Sequence, residues 1–257
     1  AGGVLAIRLS ENPSLNILLI EAGGSDKHPY IQAPAGFLKT FDNLRFNWCY
    51  QTKEGEGVGG RKIFFPRGKV LGGSSSISGH LYVRGQSMDF DHWAELGNQG
   101  WSYKEVLPYF IKSEDRSTGK DAYHGVGGPQ HVSEVLERHP LCELFVQGAQ
   151  DLGVRVNPDY NGESQEGVSY YQRTILNGRR HSAATAFLDP VRYKANLRII
   201  TGALVERLNF EGKQVKGVMF QKNQRTEEVR AGKEILLSAG SINSPKILLL
   251  SGVGNAE

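Results

Sequence analysis

A chain of 257 residues, 39% hydrophobic and 22% charged, has the composition of a soluble globular protein with enough apolar side chains for one large domain or two small ones. Its formal charge of +3 comes from scattered basic residues and short clusters such as Arg179-Arg180, so neither nucleic acid nor an anionic membrane surface is indicated as a partner. Two cysteines, Cys49 and Cys142, without a CxxC pattern argue against a disulfide framework or a zinc site, and the sequence lacks the run of about eighteen apolar residues that a membrane span needs. A reducing, cytoplasmic setting is therefore expected, with attachment to the periphery of the inner membrane as the variant reading.

In chain order, residues 2–9 carry apolar side chains at helical spacing, and the helix should stop before Pro13. Asn16 to Ile20 is a continuous apolar run ending at Glu21, which suits a strand buried on both faces of a parallel sheet. A helix and then a buried strand ending in an acid, about 20 residues after a glycine, match the second half of a dinucleotide-binding βαβ unit. Gly2 would allow close packing and Glu21 would accept hydrogen bonds from ribose hydroxyls, with the first strand and the other glycines lying before residue 1. A plain helix–strand pair with a surface glutamate fits the same residues. Since the chain begins Ala-Gly-Gly inside this helix and stops just past a glycine turn, it reads as an internal fragment.

Pro66 to Gly85, PRGKVLGGSSSISGHLYVRG, is the most informative stretch. Gly72 and Gly73 allow backbone N–H groups to lie against a planar or phosphorylated ligand, and the hydroxyls of Ser74, Ser75 and Ser76 would add donors. The alternative is an ordinary flexible loop. Further on, residues 128–132 read as a strand, 140–152 as a helix and 168–174 as a strand, followed by strands at 199–201, 205–208 and 215–221 with a turn at 210–213. None of the seven histidines falls in an HxH or HxxxH pattern, so no metal site is expected. The absence of a GxSxG elbow and of a Walker loop sets aside two other enzyme classes.

The segment EAGG at Glu21, then FNWCYQT at Phe46 to Thr52, then PRGKVLGGSSSISGHLYVRG resembles the glucose-methanol-choline (GMC) family of flavin-dependent oxidoreductases. GWSYKEVLPYF, YHGVGGP and SAGSINSP at Ser238 to Pro245 follow in the family's order, so the resemblance spans essentially the whole chain, most of all to the choline dehydrogenase and alcohol dehydrogenase (acceptor) branch. It implies an α/β fold: a Rossmann-like FAD-binding domain without its first strand, discontinuous over 1–125 and 180–257, with part of an inserted α+β substrate domain over 126–179. It implies an FAD site drawn from Gly2, Glu21, Val70, Gly72, Gly73, Ser74, Ser78, Gly79, His80, Leu81, Val205, Ala239 and Gly240. Without the resemblance, Val205 reads as a core valine and His80 as a packed or solvent-facing histidine.

Two positions depart from the family pattern. Ser78 stands where asparagine is usual, and Ile77 stands where some members carry a histidine covalently linked to FAD, so a non-covalent, dissociable flavin is expected. The resemblance also implies oxidation of a primary alcohol to an aldehyde, with hydride passing to flavin N5 and electrons going on to a quinone-like acceptor or oxygen. A lyase that retains FAD as a structural element, or a non-catalytic paralogue, are the alternatives. The family's catalytic histidine is expected beyond residue 257, so no catalytic residue is assigned. Expressed alone, the chain is expected to be poorly soluble and to bind FAD weakly, because the strand ending at Glu21 would lack a neighbour.

Overall fold

The computed structural model describes residues 1–255, which form two compact units: residues 1–77 with the returning residues from 183 onward, and residues 78–182. The first unit begins with α1 (Gly2–Ser10) and β1 (Ile17–Ile20), followed by the short helix α2 (Pro29–Gln32) and the two-residue strands β2 (Tyr50–Gln51) and β3 (Phe64–Phe65), which pair antiparallel. Helix α1 ends where Glu11 caps it and Asn12 Oδ1 accepts from Ser14 N at 3.0 Å, one residue past the expected end.

The second unit contains α3 (Ser87–Glu95), α4 (Tyr103–Ser113), β4 (Glu114–Arg116), β5 (Gln130–Val132), α5 (Pro140–Asp151), β6 (Ile175–Leu176) and β7 (Arg179–Arg180). Both α3 and α4 start with capping boxes, Gln86 with Asp89 and Ser102 with Glu105, which satisfy backbone donors left over in the first turn. Strands β4 and β5 run parallel, while β6 and β7 form a hairpin across Asn177 (φ 50°) and Gly178 (φ 71°), the positive-φ pair that a tight hairpin requires. The expected strand at 168–174 is not regular. Its residues make single bridges, Val168 with Val156 and Arg173 with both Leu81 and Ser133, so three neighbours share what one ladder would otherwise take.

The chain returns to the first unit through a π-helical turn at Ala184–Leu188 and continues with β8 (Leu197–Ile200), β9 (Leu204–Glu211), β10 (Gln214–Lys222), β11 (Arg225–Arg230) and α6 (Gly240–Leu250). Strand β8 pairs parallel with β1 from Ile17↔Leu197 to Ile20↔Ile200. A parallel pair cannot be closed by a hairpin, and here the whole second unit lies within the crossover. Strands β9, β10 and β11 form an antiparallel meander, with Gly212 (φ 60°) in the first turn and Asn223 and Gln224 (φ 50° and 63°) in the second.

All four apolar clusters lie in the first unit. One joins Ala6, Leu71, Ala184, Leu188, Val191 and Leu197, so it fixes α1 and the glycine-rich loop to β8. A second gathers Ile31, Phe46, Val70 and Ile77, and the last two lie on the inner face of the meander around Phe220, Leu208, Val218 and Ile247.

The division between units falls at 77/78 and 182/183, whereas sequence reading placed the change at 125/126 and 179/180. The physical reason is that residues 78–125 share a buried polar network with residues 159–172: Arg84 with Glu114 and Asn161, His124 with Asp159, and Tyr82 with Gln172. Among the described residues no helix is long and apolar enough to cross a membrane.

Candidate functional site

In the first unit a cleft of about 1600 Å³ opens beside β1. Its walls are the N-terminal turn of α1, the strand β1 as far as Glu21, the glycine-rich loop, β9 and the segment leading into α6. Gly2, Glu21, Gly72, Gly73, Ser74, Val205, Ala239 and Gly240 all line it, so eight of the residues expected at a cofactor site converge from five separate stretches of chain. Backbone pairing of β1 is with β8 alone among the described residues, which leaves the edge of this strand open.

Local geometry explains the glycines. A Cβ on Gly23 would lie 1.8 Å from the carbonyl oxygen of Lys69, so the EAGG turn can cross the glycine-rich segment only where there is no side chain. Gly72 has φ of 86°, and a Cβ there would meet Ser76 Oγ at 2.4 Å and Ala184 N at 3.0 Å. At the start of α1 a Cβ on Gly2 would come to 3.4 Å from Ser238 Cβ, so the helix terminus approaches the segment before α6 closely.

The serines divide their work in a way the sequence did not suggest. Ser75 donates to the Gly72 carbonyl at 2.7 Å and accepts from Ala183 N at 2.9 Å, and Ser76 donates to the Leu71 carbonyl at 2.6 Å. These two hydroxyls hold the loop itself and are not donors for a ligand. Ser74 Oγ accepts from Gly68 N at 3.0 Å and lies exposed, so its own proton is the one available in the cleft.

Glu21 is half-buried, and burial pushes its carboxyl up to about 7, although the Gly23 N–H that donates to Oε1 at 2.8 Å and the charge of Lys69 both pull it down. This leaves Oε2 to accept from a ligand hydroxyl. Val205 is half-buried and packs against Phe220, its partner across β10, while also lining the cleft, so it is both a core valine and a wall residue. Val70 is fully buried beside Ile77 and contributes backbone at this loop, bridging to Gly24. The Ile77 side chain is packed in that same cluster at 2% exposure.

Ser78, Gly79, His80 and Leu81 belong to the second unit and do not line this cleft. Ser78 is exposed, Gly79 half-buried and Leu81 half-exposed. His80 is a packed histidine, 2% exposed with φ of 67°, and its carbonyl accepts from Thr174 N at 2.9 Å. Burial, with Arg180 and Arg173 nearby, pushes its imidazole down to about 4, so it is neutral at neutral pH.

Sequence reading did not single out Trp48, Arg67 or Asn243, which also line the cleft. Trp48 stacks on Tyr50 at 5.8 Å with Lys69 Nζ 4.9 Å from its ring, and the Tyr50 hydroxyl donates to Asn243 Oδ1 at 2.6 Å. The signal was present in FNWCYQT, whose Tyr50 meets a partner more than 190 positions away.

The fold and this cleft define a class: an α/β cofactor-binding domain with an acid at a strand end, a close helix terminus and a glycine-rich loop. The GMC oxidoreductase family model matches residues 16–257, and the chain belongs to that family. It is 44% identical over 257 residues to the oxygen-dependent choline dehydrogenase of Rhizobium johnstonii, covering 100% of this chain and 47% of that protein. It is 42% identical over 256 residues to the protein of the same name from Brucella anthropi. Among solved structures, pyridoxine 4-oxidase from Mesorbium loti superposes with a TM-score of 0.93 at 37% identity, covering 98% of this chain and 50% of that one. An FAD-dependent oxidoreductase from Chaetomium thermophilum gives 0.90 at 32%, covering 98% and 46%. The chain therefore spans about half the length of the curated relatives it matches. FAD is the cofactor that the family and these neighbours support.

Proposed function

We propose that this chain forms the FAD-binding part of an oxidoreductase that converts a primary alcohol to an aldehyde. The observation that carries the reading is the convergence of Gly2, Glu21, Gly72, Gly73, Ser74, Val205, Ala239 and Gly240 on one large cleft in a GMC family member. The residues present fit FAD, a long molecule with a ribose, a pyrophosphate and a ring system: the cleft is large, its acid has an oxygen to offer, and Gly72 turns the chain beside it at a positive φ with no room for a side chain. When bound, FAD would supply at N5 an acceptor for the hydride of the carbinol carbon, and a base would be needed for the hydroxyl proton.

Glu21 holds the ribose hydroxyls, Gly2 lets the N-terminus of α1 approach the pyrophosphate, and Gly72 and Ser74 offer backbone N–H groups to the cofactor, that of Gly73 being donated to the Val70 carbonyl at 2.8 Å. The functional division that goes with this reading is a cofactor part, 1–125 and 180–257, and a substrate part, 126–179. No proton acceptor is assigned among residues 1–257. Because Ile77 has no nucleophilic atom and is packed in the core, the flavin is held without a covalent bond. Electrons pass on to oxygen or a quinone-like acceptor.

The experiment is anaerobic reduction of the full-length protein with choline, pyridoxine and simple primary alcohols. Loss of the oxidised flavin absorbance with at least one of them is expected. A flavin that no alcohol bleaches, but that dithionite does, overturns the redox reading in favour of a lyase or a non-catalytic protein. Denaturation should release all yellow colour into the supernatant.

A further inference from the structure

The second unit holds a charge cluster that the cofactor reading does not use. His124, 1% exposed, sits between two carboxylates. Its Nδ1 is 3.0 Å from Glu114 Oε2, and its Nε2 is 3.1 Å and 3.0 Å from the two oxygens of Asp159. Glu114 Oε2 also takes Arg84 Nη2 at 2.9 Å and the Gly125 N–H at 3.0 Å. Arg116 spans the far side, with Nη2 3.4 Å from Asp159 and Nη1 2.8 Å from Asp121, whose other oxygen accepts from Tyr123 N and His124 N.

A neutral imidazole has one N–H, and here two carboxylates must be served. Both contacts are hydrogen bonds only when the ring carries two protons. The charge balance agrees: Glu114, Asp121 and Asp159 face Arg84, Arg116 and His124, three against three with the proton in place. Without it, a ring lone pair opposes a carboxylate oxygen at about hydrogen-bond distance, and the cluster is left with one negative charge in excess on its half-exposed aspartates.

We propose that His124 is a proton-operated clamp: its doubly protonated ring holds the end of α4 to the Asp159–Asn161 segment and, through Glu114, to Arg84 at the end of the glycine-rich stretch, and it opens when the proton leaves. Burial works against the charged ring, but the hydrogen bonds from Asp159 and Glu114 and their charges outweigh it and hold the imidazole up at about 9. A folded-state value raised above the ordinary one means that the clamp's contribution is complete below about 6.5 and is lost as pH rises through about 9. The other titratable groups around it are Tyr82, Tyr103 and Tyr123. Burial raises Tyr82 and Tyr103 beyond their ordinary range, above this window.

Asp121, His124 and Asp159 also have the makings of a metal site, with one ligand atom from each lying within 4.8 Å of the others. A divalent ion would have to displace the Nε2 proton and share both aspartates with Arg116, whose guanidinium already occupies the position of the cation. The proton is the better occupant.

The test is thermal unfolding of the full-length protein from about pH 6 to 10.5, reading the midpoint at each pH. The wild type should lose its midpoint progressively from about pH 6.5, by several degrees in all, and level off above about pH 9. Asp159→Asn should level off at a pH lower by about one unit, since one of the two supporting carboxylates is gone. His124→Gln should unfold earlier at pH 7 and lack this fall. A wild type with no fall between about pH 6.5 and 9, an Asp159→Asn profile that levels off where the wild type does, or a His124→Gln profile that retains the fall overturns the clamp. So does a midpoint at pH 7 that rises with ZnCl2 in the wild type and not in Asp121→Asn, which would make the site a metal site. If His124→Gln does not fold, the wild-type profile and the pH at which the Asp159→Asn profile levels off decide.

Discussion

The two units are held together by different physics. In the first, buried side chains are mostly apolar and fall into four clusters. In the second, Val106, Val132 and Tyr160 are the buried hydrophobic residues, and they are outnumbered by His80, Arg84, Glu114, His124, Asn161, Gln172, Arg180, His181 and Ser182. Apolar burial is non-directional and tolerates small adjustments, whereas a network of charges and hydrogen bonds works only when every member is satisfied. The first unit should therefore respond to changes of volume, and the second to changes of charge.

The largest test of this contrast is Glu114→Ala. It removes the carboxylate that joins Arg84, His124 and the Gly125 N–H, and leaves two buried cations without it. Breaking a buried ion pair from one side costs about 3–5 kcal/mol, so the second unit should become susceptible to proteolysis between residues 78 and 182. Limited digestion followed by mass spectrometry locates the cuts. Cuts falling equally in both units, or none, would show that the network is not what holds the second unit.

The matching test in the first unit is Leu188→Ala. Leu188 is 1% exposed and packs with Ala6, Leu71 and Leu197, so truncation leaves a cavity costing about 2–5 kcal/mol. No charge is involved. Its cost should be the same at about pH 6 and pH 9.5 by chemical denaturation, in contrast to the loss on changing His124. A Leu188→Ala penalty that changes by more than about 1 kcal/mol over that range would blur the distinction between the units.

The same contrast explains what could be read from the sequence. The first unit was legible where the pattern is local: the helix at 2–10, the strand at 17–20 with the acid that follows it, the glycine pair at 72 and 73, and the hairpin of β9 and β10 all carry periodicity or turn residues that act locally. The second unit was legible in its helix at 140–151 and strand at 130–132 but not in what holds it together. Arg84, Glu114, His124 and Asp159 lie far apart in sequence, and no spacing rule links them. Their partnership is a property of the folded chain. The regular strand expected at 168–174 dissolved for the same reason, because its residues serve three partners. The capping box Ser102–Glu105 was a readable helix start that went unused.

The smallest expected effect, and the one that bears on the cleft, is that of Glu21→Gln. The Glu21 carboxyl, raised to about 7 by burial, favours the protonated form in the folded chain, so its contribution to stability is present below its ordinary value and is lost as pH rises through about 7. Replacing it with the neutral amide removes the cost of the buried charge, and the stability of the unliganded protein at about pH 8 should be unchanged or slightly higher. Cofactor binding should respond in the opposite sense. Ribose hydroxyls donate best to the ionised carboxylate, so FAD binding should draw the proton off Glu21, and wild-type affinity should rise with pH up to about 7 and then level. A hydrogen bond to a charged group contributes about 1.5–3 kcal/mol, so Glu21→Gln should weaken FAD binding by roughly tenfold or more above about pH 7.5 and should lose the pH dependence. Quenching of flavin fluorescence on titrating FAD into full-length apoprotein, at several pH values between about 5.5 and 8.5, measures both. If the variant binds FAD as tightly as the wild type at the upper end, Glu21 is only a half-buried acid at a strand end, and the ribose is held by another residue of the cleft.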